Sequence, residues 1–122
     1  MKLKPLIWVG SSKDDLLEFP EEIKSSVGYG LYLAQRGDRS IHSKVLKGFC
    51  SAGILEIKES DATGTFRVVY VVKMPKCVFV LHAFQKKSKH GIKTPKQEMD
   101  LVKKRLKEAE EIYKDLNHEE KF

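Results

Sequence analysis

The sequence predicts an α+β fold: two N-terminal helices packed on an antiparallel β-sheet, plus a C-terminal helix, in the order β-α-α-β-β-β-α. Three observations predict it. Two helix-start signatures follow one another within the first 22 residues. Three apolar runs rich in β-branched and aromatic residues then occupy the middle of the chain, separated by turn residues. A capping box near residue 95 opens a long segment of helical period. Early helices followed by an antiparallel meander make a layered α+β arrangement with the helices on one sheet face. At 122 residues the chain reads as one domain, 1–122, with 95–122 its last helix and a frayed tail. A domain of this size buries roughly two thirds of its unfolded surface, and a hydrophobic content of 41% can supply the core.

Each element has its own warrant. Leu3 to Val9 is a short apolar run containing Trp8, and it predicts a first strand ended by Gly10-Ser11-Ser12. Ser11 or Ser12 can cap a short helix through Leu17, with Asp14 and Asp15 in the turn where the helix dipole favours negative charge. Pro20-Glu21-Glu22 starts a second helix, with Ile23, Val27, Leu31 and Ala34 at helical spacing. Gly28 and Gly30 are costly inside it, by about 1 kcal/mol each relative to alanine, and they suggest a close approach to the sheet. Arg36 to Ser51 reads as a basic loop. Ile54 to Ile57 predicts a strand, Asp61 to Gly64 a turn, and Thr65–Met74 and Lys76–Gln85 two further strands joined tightly at Pro75. Thr94, as N-cap, and Gln97 form the capping box. Met99, Val102, Leu106, Ala109 and Tyr113 share one face of the helix that follows, and Asp100–Lys104 and Glu110–Lys114 are i,i+4 pairs.

The net charge of +6 is unevenly spread. From His82 to Lys96 there are five lysines (Lys86, Lys87, Lys89, Lys93 and Lys96) and no carboxylate. The rest of the chain holds 18 basic and 17 acidic residues, close to balance. A localised basic patch reads as an anion-binding surface, with nucleic acid the usual large partner; the plain alternative is a solvated, lysine-rich loop. No apolar run reaches the roughly 20 residues that span a bilayer, and nothing before Lys13 has the apolar core of a signal peptide. Two cysteines, Cys50 and Cys77, make no disulfide framework. The expectation is a reduced, cytoplasmic protein, with a single disulfide as the alternative.

Strand alternation places Arg67 with Val69, Val71 and Lys73, and His82 with Val78, Val80, Phe84 and Lys86. An arginine within an apolar strand is almost never buried unpaired. Arg67 is therefore either an ion pair, for instance with Glu56, or a guanidinium aimed at phosphate. His82 is either a packed, hydrogen-bonded core residue or an acid–base group. His42, His82, His90 and His118 have no metal-ligand spacing, so neither metal nor cofactor is expected. No nucleophile triad, P-loop or dinucleotide fingerprint occurs.

Taken together, KVLKGFCSAGILEIKE, FRVVYVV and VFVLHAFQKKSKHGIKTP resemble the RelE/ParE toxin superfamily, and within it the HigB-like, phage-related branch. The matching features are Lys47, the Leu55-Glu56-Ile57 triplet, Arg67 to Tyr70, His82 to Ser88, and Thr94-Pro95. The likeness runs from Trp8 to about Ala109. It departs at Lys58, where relatives often have arginine, and in the longer Lys89-His90-Gly91 loop.

The resemblance implies the toxin of a type II toxin–antitoxin system, a metal-independent endoribonuclease cleaving mRNA, chiefly at the ribosome. A cognate antitoxin, by analogy a helix-turn-helix protein, would neutralise it. The reaction is attack of a ribose 2′-OH on the adjacent phosphorus, which needs a base, an acid and cations. Arg67, Lys86, Lys87 and His82 are the catalytic candidates; Lys47, Lys89, Lys93 and Phe84 are the RNA-binding ones, with Phe84 offering a stacking surface. The alternative is a non-catalytic toxin or binding module, either a gyrase poison of the ParE type or a benign RNA-binding protein.

Overall fold

A computed structural model describes residues 2–49, 53–86 and 95–120, the side chains of 118–120 excepted. Its elements are β1 (Leu6–Trp8), α1 (Ser12–Leu17), α2 (Glu21–Gln35), β2 (Ser43–Val45), β3 (Ile54–Asp61), β4 (Gly64–Val71), β5 (Val78–Lys86) and α3 (Lys96–Glu120). The fold is α+β, as the pattern predicts. The strands form one sheet in the order β1-β5-β4-β3-β2.

The sheet is mixed rather than antiparallel. β2, β3, β4 and β5 are antiparallel neighbours, but β1 runs parallel to β5, with Leu6 opposite Val78 and Trp8 opposite Val80. Period-2 alternation reports which faces a strand presents and carries no information about the direction of its partner. β2 falls inside the segment read as a loop. It has three residues, with Ser43 buried and Lys44 and Val45 exposed, too few to show a period. A short edge strand carrying lysine is also a usual defence against edge pairing. The link between β4 and β5 spans 72–77 and is looser than the tight turn expected at Pro75.

Helices cover both faces of the sheet, not one. α1 and α2 bury Leu16, Phe19, Ile23, Val27, Leu31 and Ala34 against Leu55, Ile57, Phe66, Val68, Tyr70 and Val80. α3 covers the opposite face, setting Val102 and Ala109, with Met99, Leu106 and Tyr113 beside them, against Val69, Val71, Phe79 and Leu81. The apolar stripe read in α3 is thus its packing face. Its expected i,i+4 pairs do not form; Glu110 instead meets Lys73, Nζ to Oε1 3.6 Å. The helix also continues through Asn117 to Glu120, where fraying was expected. Thr94 lies outside the described residues, but the Pro95 carbonyl accepts the Met99 N–H at 3.0 Å, so the helix begins where the capping box puts it.

Cys77 is a free, buried thiol in the α3-side core, and burial pushes its pKa up. It behaves there as a small hydrophobe. No helix among the described residues is long and apolar enough to cross a membrane.

The two glycines of α2 have different roles. A Cβ on Gly30 would sit 2.8 Å from Ile57 Cδ1, so this position lets the helix lie close on β3. A Cβ on Gly28 would meet nothing within 4 Å. Gly28→Ala therefore gains helix propensity without a clash and should raise stability by about 0.5–1 kcal/mol in urea unfolding. Gly53→Ala should do the reverse. Its Cβ would fall 2.3 Å from Lys73 Cβ and 2.9 Å from Lys73 backbone atoms, a clash costing about 1–3 kcal/mol.

Candidate nucleic-acid site

The site is built where β5 outruns β1. β1 pairs only with Val78 to Val80, so among the described residues no strand flanks the outer edge of β5 beyond that point. The Val80 carbonyl is closed off by the Val9 N–H at 2.9 Å and the Ser12 hydroxyl at 3.1 Å. Beyond it an open cleft of about 800 Å³ lies between the α1–α2 corner and the start of α3. Asp15, Glu18, Phe19 and Pro20 line one wall; Phe66, Thr63 and His82 to Gln85 line the other; Glu98 closes one end.

A bulge decides what β5 presents to α3. The β4–β5 register shifts between Val69 and Tyr70: Tyr70 faces Val80, while Val69 faces His82. Leu81 is the extra residue. Plain alternation puts His82 on the face of Val78 and Val80, toward α1 and α2. The added residue turns His82 to the α3 face with Val69, and it carries Phe84, opposite Arg67, along with it. Sequence periodicity cannot foresee a one-residue insertion of this kind.

His82 is 5% exposed and is gripped at both ring nitrogens. Nε2 meets the Glu98 carboxylate, and Nδ1 lies 3.3 Å from Arg105 Nη1. Arginine has no acceptor. Nδ1 therefore accepts, and Nε2 carries the proton that it donates to Glu98. Arg105 also donates to the carbonyl of bulged Leu81 at 3.0 Å and to Ser11 Oγ at 3.0 Å. Gly10 makes room for it: a Cβ there would lie 2.7 Å from Arg105 Nε. The His82 ring stacks on Phe84, centroids 4.8 Å apart and planes 21° apart. Phe84 is half-buried and borders the cleft.

Arg67 lies on the same face and is fully enclosed. Its Nη1 donates to Glu56 Oε1 at 2.7 Å, with side-chain exposures of 2% and 0%. Of the two roles weighed for Arg67, the ion pair with Glu56 is the one present; the guanidinium is under the surface rather than on it. Lys86 ends β5, half-buried, opposite Thr65. Lys47 is exposed on the β2–β3 connection, which approaches α3 through Gly48, 3.6 Å from Met99 measured from a built Cβ. Arg67, His82 and Phe84 are therefore brought together on one face. Lys87, Lys89 and Lys93, with His90, lie outside the described residues, in the stretch joining β5 to α3. Among the described residues no three His, Cys, Asp or Glu side chains are grouped to hold a metal ion.

Glu98 and Arg105 escaped the sequence reading, and Ser11 was read there only as a helix cap. A clue to Arg105 was available: it is three residues after Val102 and four before Ala109, on the apolar stripe of α3, the same misplacement that marks Arg67 in β4. Glu98 precedes Val102 by four and belongs to that stripe as well.

A family model described as "Phage derived protein Gp49-like" matches residues 14–107. The chain belongs to this family. The Gp49-like assignment agrees with the phage-related, HigB-like branch of the RelE/ParE toxins that the motifs resemble. The matched span runs from α1 to the third turn of α3, so it contains Arg67, His82, Phe84, Lys86, Glu98 and Arg105. Among solved structures, the toxin–antitoxin complex RelBE2 from Mycobacterium tuberculosis is similar to this Gp49-like chain, with 19% identity, a TM-score of 0.47, and coverage of 72% of this chain and 97% of that one. No curated protein matches significantly.

Removing Arg67 strands the Glu56 carboxylate in the core. Breaking a buried pair from one side costs about 3–5 kcal/mol. Arg67→Ala should therefore lower the urea midpoint sharply, and Glu56→Gln added to it should recover part of the loss. A fully stable Arg67→Ala protein would show that the pair contributes little to folding.

Proposed function

We propose that this protein is the toxin of a toxin–antitoxin pair and that it acts as a metal-independent endoribonuclease on mRNA at the ribosome. The observation that carries this reading is the His82–Glu98 pair. Its imidazole is buried and fixed, its carboxylate is 31% exposed, and both border a cleft beside an aromatic ring. The five-lysine segment begins at the end of the same strand. Membership of the Gp49-like family supports the toxin role.

In this reading Phe84 stacks on a splayed base and Lys86, Lys87, Lys89, Lys93 and Lys47 hold phosphates. The ribose 2′-oxygen attacks the adjacent phosphorus as its proton is removed; the bond to the 5′-oxygen breaks, and that oxygen takes up a proton. In this reading the Glu98 carboxylate takes the 2′-proton, neutral His82 orients that carboxylate through its Nε2–H, and a lysine ammonium of the basic edge, Lys86 or Lys87, gives the 5′-oxygen its proton. The lysines offset the charge on the phosphorane. Arg67 supports the face from beneath through Glu56. The partners are mRNA on the ribosome and a small antitoxin of helix-turn-helix type that blocks the basic edge.

One observation favours the non-catalytic alternative. Both His82 nitrogens are engaged and Arg67 is enclosed, so in this arrangement the chemistry requires the Glu98 contact to loosen. Mapping mRNA 5′ ends after induction decides between the two. New ends within reading frames support the nuclease. Intact mRNA with growth arrest and double-strand DNA breaks supports a gyrase poison.

Glu98→Gln and Lys86→Ala should stay folded and lose cleavage, each by on the order of 10²-fold or more. RNA affinity should fall steeply with added salt as counterions are released. An affinity that is flat across a salt titration of the folded protein would remove the lysine edge from the site.

A further inference from the structure

The outer side of α2 carries residues that packing does not explain. The core stripe of this helix is Ile23, Val27, Gly30, Leu31 and Ala34. The stripe diametrically opposite, at helical spacing, is Ser25, Tyr29, Tyr32 and the C-cap Arg36. A solvated helix face is ordinarily filled by strong helix formers such as lysine, glutamate and glutamine. Here two tyrosines, poorer helix formers, stand 62% and 41% exposed.

Their geometry is ordered. The Tyr29 and Tyr32 ring centroids are 6.3 Å apart with planes tilted by 33°, and the Arg36 guanidinium carbon lies 5.8 Å over the Tyr32 ring. A base inserted between two rings needs about twice the 3.4 Å stacking distance, roughly 6.8 Å. A small rotation of either exposed ring supplies the difference. Gly28, beside the pair, leaves open space where a side chain would crowd an incoming ring.

The chain that follows α2 supplies charge. It doubles back along the helix, bringing Ser40 against Gly30. Just past the helix it carries Arg36 and Arg39 against Asp38 alone. Asp38 pairs with Arg36 at 3.5 Å, and Ser43 anchors Arg39 through two 3.2 Å bonds. This segment lies toward the β2 edge, across the sheet from the β5 edge that borders the cleft.

We infer that the outer stripe of α2, with Arg36 and Arg39 beside it, forms a second binding surface for single-stranded RNA, separate from the β5 cleft. The inference rests on the RNA reading of the protein. Flat aromatic faces beside arginine are what sequence-tolerant single-strand binding uses. Aromatic hot spots for a protein partner sit instead in desolvated, well-packed pockets. This pair stands on a convex helix face with Arg36 at one end. A second contact on the same strand would raise the effective concentration of RNA at the cleft without touching the chemistry.

The test uses the full-length protein and a fluorescent 2′-O-methyl oligonucleotide of about 15 nucleotides, containing 2-aminopurine, which cannot be cut by 2′-oxygen attack. Tyr29→Ala/Tyr32→Ala should weaken binding by about fivefold or more and abolish the quenching of 2-aminopurine that stacking produces. Tyr29→Phe/Tyr32→Phe should preserve both. Arg36→Gln is a second, milder probe and should also weaken binding. Circular dichroism checks that α2 persists, as expected for exposed positions changed to a better helix former. Wild-type affinity in the alanine pair, with the parent binding normally, overturns this surface and leaves the RNA reading of the cleft standing. Loss of antitoxin co-purification with unchanged RNA affinity also overturns it, assigning the stripe to a protein partner. A parent protein that binds no oligonucleotide at any salt concentration overturns the RNA reading itself.

Discussion

Arg105 reaches from the buried stripe of α3 to three places at once: the carbonyl of the β5 bulge, the free nitrogen of His82 and the hydroxyl of Ser11 at the start of α1. A β-bulge leaves a backbone carbonyl out of the ladder, and a buried carbonyl without a donor is costly. The guanidinium removes that cost and simultaneously sets the imidazole tautomer, because it can only donate. The bulge, the orientation of His82 and the docking of α3 are thus one constraint. Gly10 is part of it, since a side chain there would occupy the guanidinium's position. Without the bulge His82 would face α1 and α2, and there would be no imidazole for Glu98 to meet.

The distribution of charge follows the same logic. Each basic group on the inside has a fixed acceptor: Arg67 has Glu56, and Arg105 has the Leu81 carbonyl, Ser11 and His82. Burial forces this, because an uncompensated interior cation is far costlier than the pair. The surplus responsible for the net charge of +6 is in lysine, a residue type whose long stem lets the ammonium reach water. Arginine holds the interior geometry and lysine dresses the edge. That division suits the residues, since a guanidinium's planar fork fixes several acceptors at once and an ammonium acts as a point charge.

Much of the fold was legible because it depends on local periodicity. The α2 and α3 stripes, the β3–β4 turn at Asp61 to Gly64 and the two long apolar strands all lie where the pattern put them. What periodicity lacks is partner identity. The parallel placement of β1 beside β5, the three-residue β2 and the coverage of both sheet faces depend on long-range packing. The site was legible to a similar depth. Arg67, His82 and Phe84 stood out as polar or aromatic residues at telling positions in strands, and they do share a face. Their partners Glu98 and Arg105 belong to a helix whose polar majority hid two members of the buried stripe. The bulge had no local signature in a run as apolar as VFVLHAF.

This interlocking limits what loss of activity can mean. A substitution at Arg67, Arg105 or Ser11 removes a hydrogen-bond partner from a buried group and so acts on stability as well as on the site. Such residues are positioning groups: they touch His82, Glu56 or the bulge, and none of Arg67, Arg105 and Ser11 is among the described residues that line the cleft. Glu98 differs because its carboxylate is 31% exposed and borders the cleft, where loss of charge need not unfold the chain. A loss of toxicity in an Arg67 variant therefore becomes evidence about chemistry only when the protein is measured to be as folded as its parent. The same loss in a Glu98→Gln variant, where the replacement keeps the shape and can still bond to His82, points to the proton transfer itself.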